Sequence, residues 1–372
     1  MRIVHIGVDL EINTTNGVNR VMSLISKAQR ALGHDVTLLR ISSAQPFDRL
    51  DEKSGIRMVG LPASKTKVGV SAETVAALEA NALGADVFHF HSVFMPEHNF
   101  AARHTGAPYI VSPHGAYHPR ALQRSRWRKL AYRLLLDQRY LNGAAFVHAL
   151  TQEEARIVRE YARPRRVEVI ANPVEPTQPI SQVERVDARR SLGLSDDQLV
   201  PVYIGRLDPE QKGLDLLIEA VRDLSRRCPV RLLLAGPSSG QPIVKLLHPG
   251  DPVTVLPPAF GDDKRCLLAA ADLFASPSRW EGQPAAVLEA MAHGLPVLIS
   301  GAAGLTHYVE DNDAGIVTET TPVAIATALE KLDTGGAPVM QARQDLSALT
   351  QQTFGPEPIA RQFIMAYESI WP

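Results

Sequence analysis

Short apolar runs recur along the chain, and the stretches between them return an apolar residue every three or four positions. The first run is "RIVHIGV" (residues 2–8), followed by a helical period over residues 17–32 and a second run, "DVTLLRI" (residues 35–41). "DVFHFHSV", "PYIVSP" and "AFVHALT" continue the series. Near-continuous apolar runs bounded by turn residues read as strands buried on both faces, and the period between them reads as helix. Residues 171–181, "ANPVEPTQPIS", break the rhythm with three prolines and no apolar period, as a linker does. The series then restarts with "VPVYI", a helix from Leu214, "VRLLLAG", "VTVLP", a helix through Cys266, "LFASPS", a further helix and "PVLIS". Such alternation predicts a mostly parallel sheet with helices on both faces, here twice over. The expected domains are residues 1–175 and 182–355, with an amphipathic helix in residues 356–372 returning to the first.

Composition narrows the class. The chain has 372 residues, 45% hydrophobic and 21% charged, with a formal net charge of −1. That is ample for one large or two medium cores. A near-neutral balance gives no reason to expect a nucleic-acid partner. The two cysteines, Cys228 and Cys266, each sit in an apolar pattern and read as reduced core thiols, so the expected compartment is the cytoplasm. "MRIVHIGV" already reads as strand, with no basic region, long apolar stretch or small-residue cleavage site. No run approaches the roughly 18 apolar residues of a spanning helix.

In alternating sheets of this kind ligands gather at the carboxyl ends of the strands. "SRWEGQPAAVLEAMAHGLPVLIS" (residues 278–300) places Glu281 in a strand-to-helix loop and Glu289 in the second turn of the next helix. Pro284 is expected at the first helical position and Gly294 as the stop. Val287, Leu288 and Met291 share the core face, which leaves Glu289 among Ala285, Ala286, Ala292 and His293. Two readings stay open for that face: close approach of a ligand whose hydroxyls the carboxylate accepts, or a neighbouring helix with Glu289 satisfied locally. "IGRLDPEQKGLDLLIEAV" puts Gly205, Arg206, Lys212 and Gly213 between a strand and a helix. Two cations beside a helix N-terminus suit an anion; alternatively Asp208, Glu210 and Lys212 pair among themselves in a solvated loop. The first strand leads into "VDLEINTTNGVNR", where a single glycine, Gly17, opens a helix after Asn16. Neither the Gly-x-Gly-x-x-Gly nor the acidic residue closing the second strand of a dinucleotide site is there.

In this order the motifs resemble the retaining nucleotide-sugar glycosyltransferases of glycosyltransferase family 4, or group 1. Their architecture is GT-B: α/β, with two Rossmann-like parallel-sheet domains facing a central cleft. "GRLDPEQKG" looks like their phosphate loop, "EGQPAAVLE" like their paired-glutamate motif, and "SPHGAY" like the histidine loop at the cleft edge of the N-terminal domain. The resemblance spans nearly the whole chain. It implies that Arg206 and Lys212, in the loop that begins at Gly205, hold the donor diphosphate, and that Gly17 lets its loop close over the same phosphates. Glu289 would accept hydrogen bonds from the two ribose hydroxyls. Glu281 would bind hydroxyls of the transferred sugar, helped by backbone N–H groups of the stretch that includes Gly282 and Gln283. His114 would contact the sugar near the anomeric centre. Many relatives have glycine where Pro284 stands, and proline offers no N–H to a sugar oxygen, so this motif does not identify the sugar. The base is expected against backbone in "GPSSG" and "PPAF".

The implied reaction moves a sugar from a UDP-, GDP- or similar nucleotide sugar to a glycan or lipid-linked acceptor, as in polysaccharide or glycoconjugate biosynthesis, with retention of configuration. The leaving diphosphate takes the acceptor proton, and Arg206 and Lys212 stabilise the charge left on it. No metal and no further cofactor is required; "DND" (residues 311–313) reads as a loop turn. Two other readings compete. His89, His91, His98, His104, His114 and His118 cluster in sequence, and "HFH" ends a strand with both rings on one face, as at some zinc hydrolase sites. Glu97 is their only nearby carboxylate and the spacing is not that of a barrel enzyme, which favours cleft-lining or packed histidines. A non-hydrolysing nucleotide-sugar epimerase on the same architecture is the other. Finally, the segment between Arg120 and Arg139 carries seven Lys or Arg and one acid, around a stripe of Trp127, Leu130, Ala131 and Leu134. Its cations are either solvated or a peripheral contact with the anionic inner face of a membrane.

Overall fold

The computed structural model describes residues 1–8, 10, 17–42, 45–64, 69–119, 132, 136–238, 242–331 and 337–370. The basic stretch at residues 120–131 and 133–135 lies outside them. Two compact units emerge, Met1–Pro173 with Phe354–Pro372, and Val174–Thr353.

In the first unit the described strands are β1 (Arg2–Gly7), β2 (Asp35–Ser42), β3 (Phe47–Leu50), β4 (Arg57–Pro62), β5 (Val87–His91), β6 (Tyr109–Ser112), β7 (Phe146–Ala149) and β8 (Val167–Val169). They lie in the order β3-β4-β2-β1-β5-β6-β7-β8, parallel except for the β3–β4 pair. Central strands covered on both faces are buried along their whole length, and β5 and β7 are buried at every position, with His89, His91 and His148 as their polar members. The edge strand β3 escapes that rule: three of its four residues are exposed, so "FDRL" carries no strand pattern. The helix Gly17–Ala31 buries Val21, Met22 and Ile25 at helical spacing. Beside it lies the last helix, Pro356–Glu368, whose Ile359, Phe363 and Tyr367 share one core with Ile3, Val21, Ile25, Val87 and Phe146. That shared core makes the C-terminal helix part of the first unit.

In the second unit β9 (Pro201–Ile204), β10 (Leu232–Ala235), β11 (Val253–Leu256), β12 (Leu273–Ser276), β13 (Val297–Ser300) and β14 (Gly315–Thr318) are all parallel, in the order β11-β10-β9-β12-β13-β14. The chain steps outward from β9 to β11 and resumes on the other side with β12. The switch therefore falls between β9 and β12, the position at which open parallel sheets bind their ligands. The first unit has the same device between β1 and β5. The start of β12 is anchored by Asp272, which takes the Arg185 guanidinium at 2.5 Å and the Val200 N–H at 2.7 Å. Residues 170–181 form no helix or strand. Cys228 and Cys266 are free and only half-buried, not core thiols.

Candidate active site

Two loops meet at the switch between β9 and β12. After β9 the chain passes Gly205 and Arg206 and turns into a single helical turn, Pro209–Lys212. Asp208 caps that turn by accepting the Gln211 N–H at 3.0 Å, and Pro209 follows where a missing N–H has no cost. Asp208 is thus a cap and not a partner of Lys212, which sets aside the solvated-loop reading. Gly213 then adopts φ +65°, and a Cβ there would run into the Pro277 carbonyl. This position needs glycine twice over, for its backbone and for the close approach of the two loops. The helix Leu214–Leu224 starts directly after it.

From the other side, Glu281 enters the same place. Its carboxylate pairs with Lys212, both side chains largely buried. Arg279 fastens the loops together: it grips Asp215 through two bonds of 2.8 and 2.6 Å and donates to the carbonyls of Pro209 and Glu210. The Arg206 guanidinium stays exposed, with neutral Gln211 accepting at 2.6 Å. The Tyr203 hydroxyl donates to the Arg206 carbonyl at 3.1 Å from beneath; burial and the Glu281 charge push that phenol well up, so it stays a donor.

The next helix runs Ala285–Ala292, with Pro284 as its N-cap rather than its first residue, a shift of one position. Gly294 takes φ +81° behind the C-cap His293. Gln283 is buried, Gly282 accepts the Gly304 N–H at 2.9 Å, and a Cβ on Gly282 would meet nothing. Glu289 shares its alanine-rich face with a partner that the sequence did not reveal: Lys264, on the helix Gly261–Ala270, pairs with its carboxylate. Glu289 is thus satisfied from a neighbouring helix, while Ala285 on the same face stays exposed. A carboxylate keeps further lone pairs, so the pairing does not exclude a ligand hydroxyl.

Arg206, Lys212, Glu281, Gln283 and Glu289 thus converge in the second unit, while Gly17 and His114 belong to the first. Gly17 opens the helix that follows β1 in the chain, and a Cβ there would meet nothing. His114 follows β6, is half-buried and has φ +53°, a strained value for a side chain with a Cβ. Its loop is held by Glu154, which accepts the Gly115 N–H at 2.6 Å and the Leu150 N–H at 2.8 Å. His89 and His91 are wholly buried and stacked at 4.2 Å, so they are packed. With His5 they form the described three-histidine group that has metal-ligand spacing.

Comparison with known proteins decides the family. Residues 198–334 match the model of "Glycosyl transferases group 1", and residues 15–178 that of "Glycosyltransferase Family 4". A D-inositol 3-phosphate glycosyltransferase of Nocardioides sp. is 30% identical over 309 residues, 76% of this chain and 67% of the relative. The chain belongs to the family 4, group 1 glycosyltransferases. A second D-inositol 3-phosphate glycosyltransferase, from Gordonia bronchialis, is 29% identical over 354 residues, 89% of this glycosyltransferase and 73% of its relative. Among solved structures, Anabaena HepE in complex with UDP-glucose is similar at a TM-score of 0.72 and 20% identity, over 99% of this chain and 100% of that one. The glycosyltransferase has the GT-B fold of such neighbours.

Proposed function

We infer that this glycosyltransferase takes its sugar from a nucleoside-diphosphate sugar and delivers it, with retention, to a hydroxyl of a glycan, polyol or lipid-linked acceptor. The observation that carries the reading is the meeting of Arg206, Lys212, Glu281 and Glu289 at the switch point of one parallel sheet. A diphosphate suits the loop of Arg206 and Lys212, ahead of the N-terminus of the helix Leu214–Leu224. Arg206 supplies the exposed charge, and Lys212 turns from Glu281 toward the phosphate as the donor arrives. That exchange frees the Glu281 carboxylate for sugar hydroxyls. Glu289 takes the ribose hydroxyls beside Lys264. The two side-chain cations then stabilise the leaving diphosphate, a role that other enzymes give to a divalent ion. His114 is assigned to the sugar from its motif.

Complexes of HepE with UDP and UDP-glucose make UDP-sugars the first donors to test, and the names of the inositol-phosphate relatives make a phosphorylated polyol the first acceptor. The decisive experiment is transfer of labelled sugar from a panel of nucleotide sugars, with product anomers assigned by NMR. Retained configuration and turnover unaffected by EDTA are expected. Release of an epimerised nucleotide sugar without transfer, or activity abolished by EDTA and restored by a divalent ion, would refute the scheme. Residues 120–139 are carried as a peripheral membrane contact; flotation with anionic vesicles, weakening with salt, is the expected behaviour.

A further inference from the structure

The first unit contains a hydrogen-bonded string of histidines that the transfer reaction leaves unexplained. His5 on β1, His89 and His91 on β5, and His148 on β7 are all buried, and His5 is the register partner of His89 across the sheet. His148 Nε2 lies 2.7 Å from the Ile170 carbonyl, which can only accept. Nε2 therefore carries the proton, and Nδ1, 2.6 Å from Ser112 Oγ, accepts the hydroxyl proton. Ser112 Oγ in turn accepts from His89 Nε2 at 2.6 Å. That leaves His89 Nδ1 to accept from the Tyr367 hydroxyl at 2.6 Å. Having given its proton away, the Tyr367 oxygen is an acceptor, and the Gln29 side chain acts on it. Gln29 Nε2, though without a partner of full geometry, thus belongs on the tyrosine side, and Oε1 on the other.

The second arm follows from that amide. His5 Nε2 donates to Gln29 Oε1 at 2.7 Å, so His5 Nδ1 accepts from His91 Nε2 at 2.9 Å. His91 Nδ1 then accepts from His114 Nε2 at 3.0 Å. The assignment needs neutral rings, and burial supplies them: it lowers His5 and His148 to about 4 and His114 to about 3, with His89 and His91 also far below the ordinary value. Both arms finish on an acceptor too weakly basic to take up a proton, the Gln29 amide oxygen and the Ile170 carbonyl. The string can orient but has nowhere to pass a proton.

We propose that His91, His5 and Gln29 are positioning residues for His114: they fix its ring, occupy its Nε2–H and leave Nδ1 as a hydrogen-bond acceptor for a sugar hydroxyl. The proposal rests on the reading that His114 meets the sugar, and it adds a chemical restriction. Opposite Nδ1 the ligand must present a donor, a hydroxyl or amine, and not a carbonyl or phosphate oxygen. Gln29 is the most remote member, three side chains away from any ligand, so it acts only through the string.

Substitutions at Gln29 separate orientation from packing. Gln29→Met fills the space and removes the acceptor; Gln29→Glu keeps the acceptor and adds a buried charge. A packing role alone makes the methionine variant the better of the two. Positioning makes it the worse. The ring nitrogens of His114 are read first by 15N NMR in the ligand-free protein, so the result does not depend on the donor. Wild type and Gln29→Glu are expected to show a protonated, slowly exchanging Nε2 and a bare Nδ1. In Gln29→Met the Nε2 proton should exchange about tenfold faster or more, with tautomers mixing. With UDP-glucose as the probe donor, kcat in Gln29→Met should fall about tenfold with little change in KM. Tyr367→Phe, which frees the Gln29 amide to turn, gives the same loss of a single tautomer if the methionine variant does not fold. Identical His114 ring signals in wild type and in a folded Gln29→Met or Tyr367→Phe would overturn the proposal. Wild-type turnover in His114→Ala would instead remove the contact between His114 and sugar, leaving the ring assignment in place.

Discussion

The two glutamates are distinguished by their lysines. Glu281 is held by Lys212, at the end of the loop after β9, whereas Glu289 is held by Lys264, which lies on a different helix. Removing Glu289 frees a lysine that can reach solvent, so Glu289→Ala should fold normally. It should nevertheless raise the donor KM about 10- to 100-fold, the equivalent of losing a charged hydrogen-bond acceptor worth about 1.5–3 kcal/mol. Calorimetric titration with the nucleoside diphosphate checks this, and unchanged affinity would remove the ribose role. In the proposed reaction Arg206 and Lys212 belong to a different step. Charge accumulates on the diphosphate as the glycosidic bond breaks, so Arg206→Ala and Lys212→Met should each lower kcat, by about 100-fold, more than they weaken binding. A loss confined to KM would make both cations ground-state binders only.

At the scale of elements, two glycines that look alike in the sequence carry different burdens. Gly213 joins two helices at φ +65° with the Pro277 carbonyl in the way of any Cβ, whereas Gly17 opens its helix into empty space. Gly213→Ala should therefore destabilise the second unit by about 2 kcal/mol or more in urea unfolding. Gly17→Ala should leave stability within about 0.5 kcal/mol of wild type and weaken donor binding alone. Equal stability of the two variants would mean that the β9 loop does not need its left-handed turn. The same contrast marks the limit of what the sequence discloses. Strands such as "VFHFH" and "LFAS" are legible because burial on both faces keeps them short and largely apolar, without a Lys, Arg, Asp or Glu. β3 is not, because an exposed edge strand pairs through its backbone and leaves its side chains unconstrained. The β9 loop and the glutamate pair are legible as local motifs. The grip of Arg279 on Asp215 and the Lys264–Glu289 pair join residues far apart in sequence, and no local spacing announces them. The histidine string was half visible: "HFH" shows one face of β5, but Gln29 and Tyr367 join it only through the packing of the first and last helices.

For the molecule as a whole, the two units should respond differently to acid. Five histidines of the first unit, His5, His89, His91, His98 and His148, are buried, and burial holds every one below its ordinary value; His98 sits at about 4. A base whose folded pKa is depressed binds more protons when unfolded. Its stabilising contribution is complete above the unfolded value of about 6.5 and is lost as the pH falls below it. Between pH 7 and 5.5 each ring forfeits on the order of 1 kcal/mol, and five together approach the whole stability of an ordinary domain. Asp137 works in the opposite direction. Burial raises its carboxyl to about 6 despite hydrogen bonds from Tyr117 and Asn99, so protonation on acidification relieves a buried charge. Over the same interval that returns only about 1 kcal/mol, well short of the histidine loss. The second unit has one comparable ring, His293, and it is half-buried. Hydrogen exchange followed by mass spectrometry, corrected for intrinsic rates, should therefore show β1 and β5 losing protection between pH 6 and 5 while β9 and β12 keep theirs. Asp137→Asn should move the loss to higher pH, because it removes a group that gains on acidification; the Glu154 carboxyl, also raised by burial, stays in place. Equal protection of β1 and β5 at pH 7 and pH 5 would mean that these rings are hydrated or charged in the folded unit, and the neutral string with them would fall.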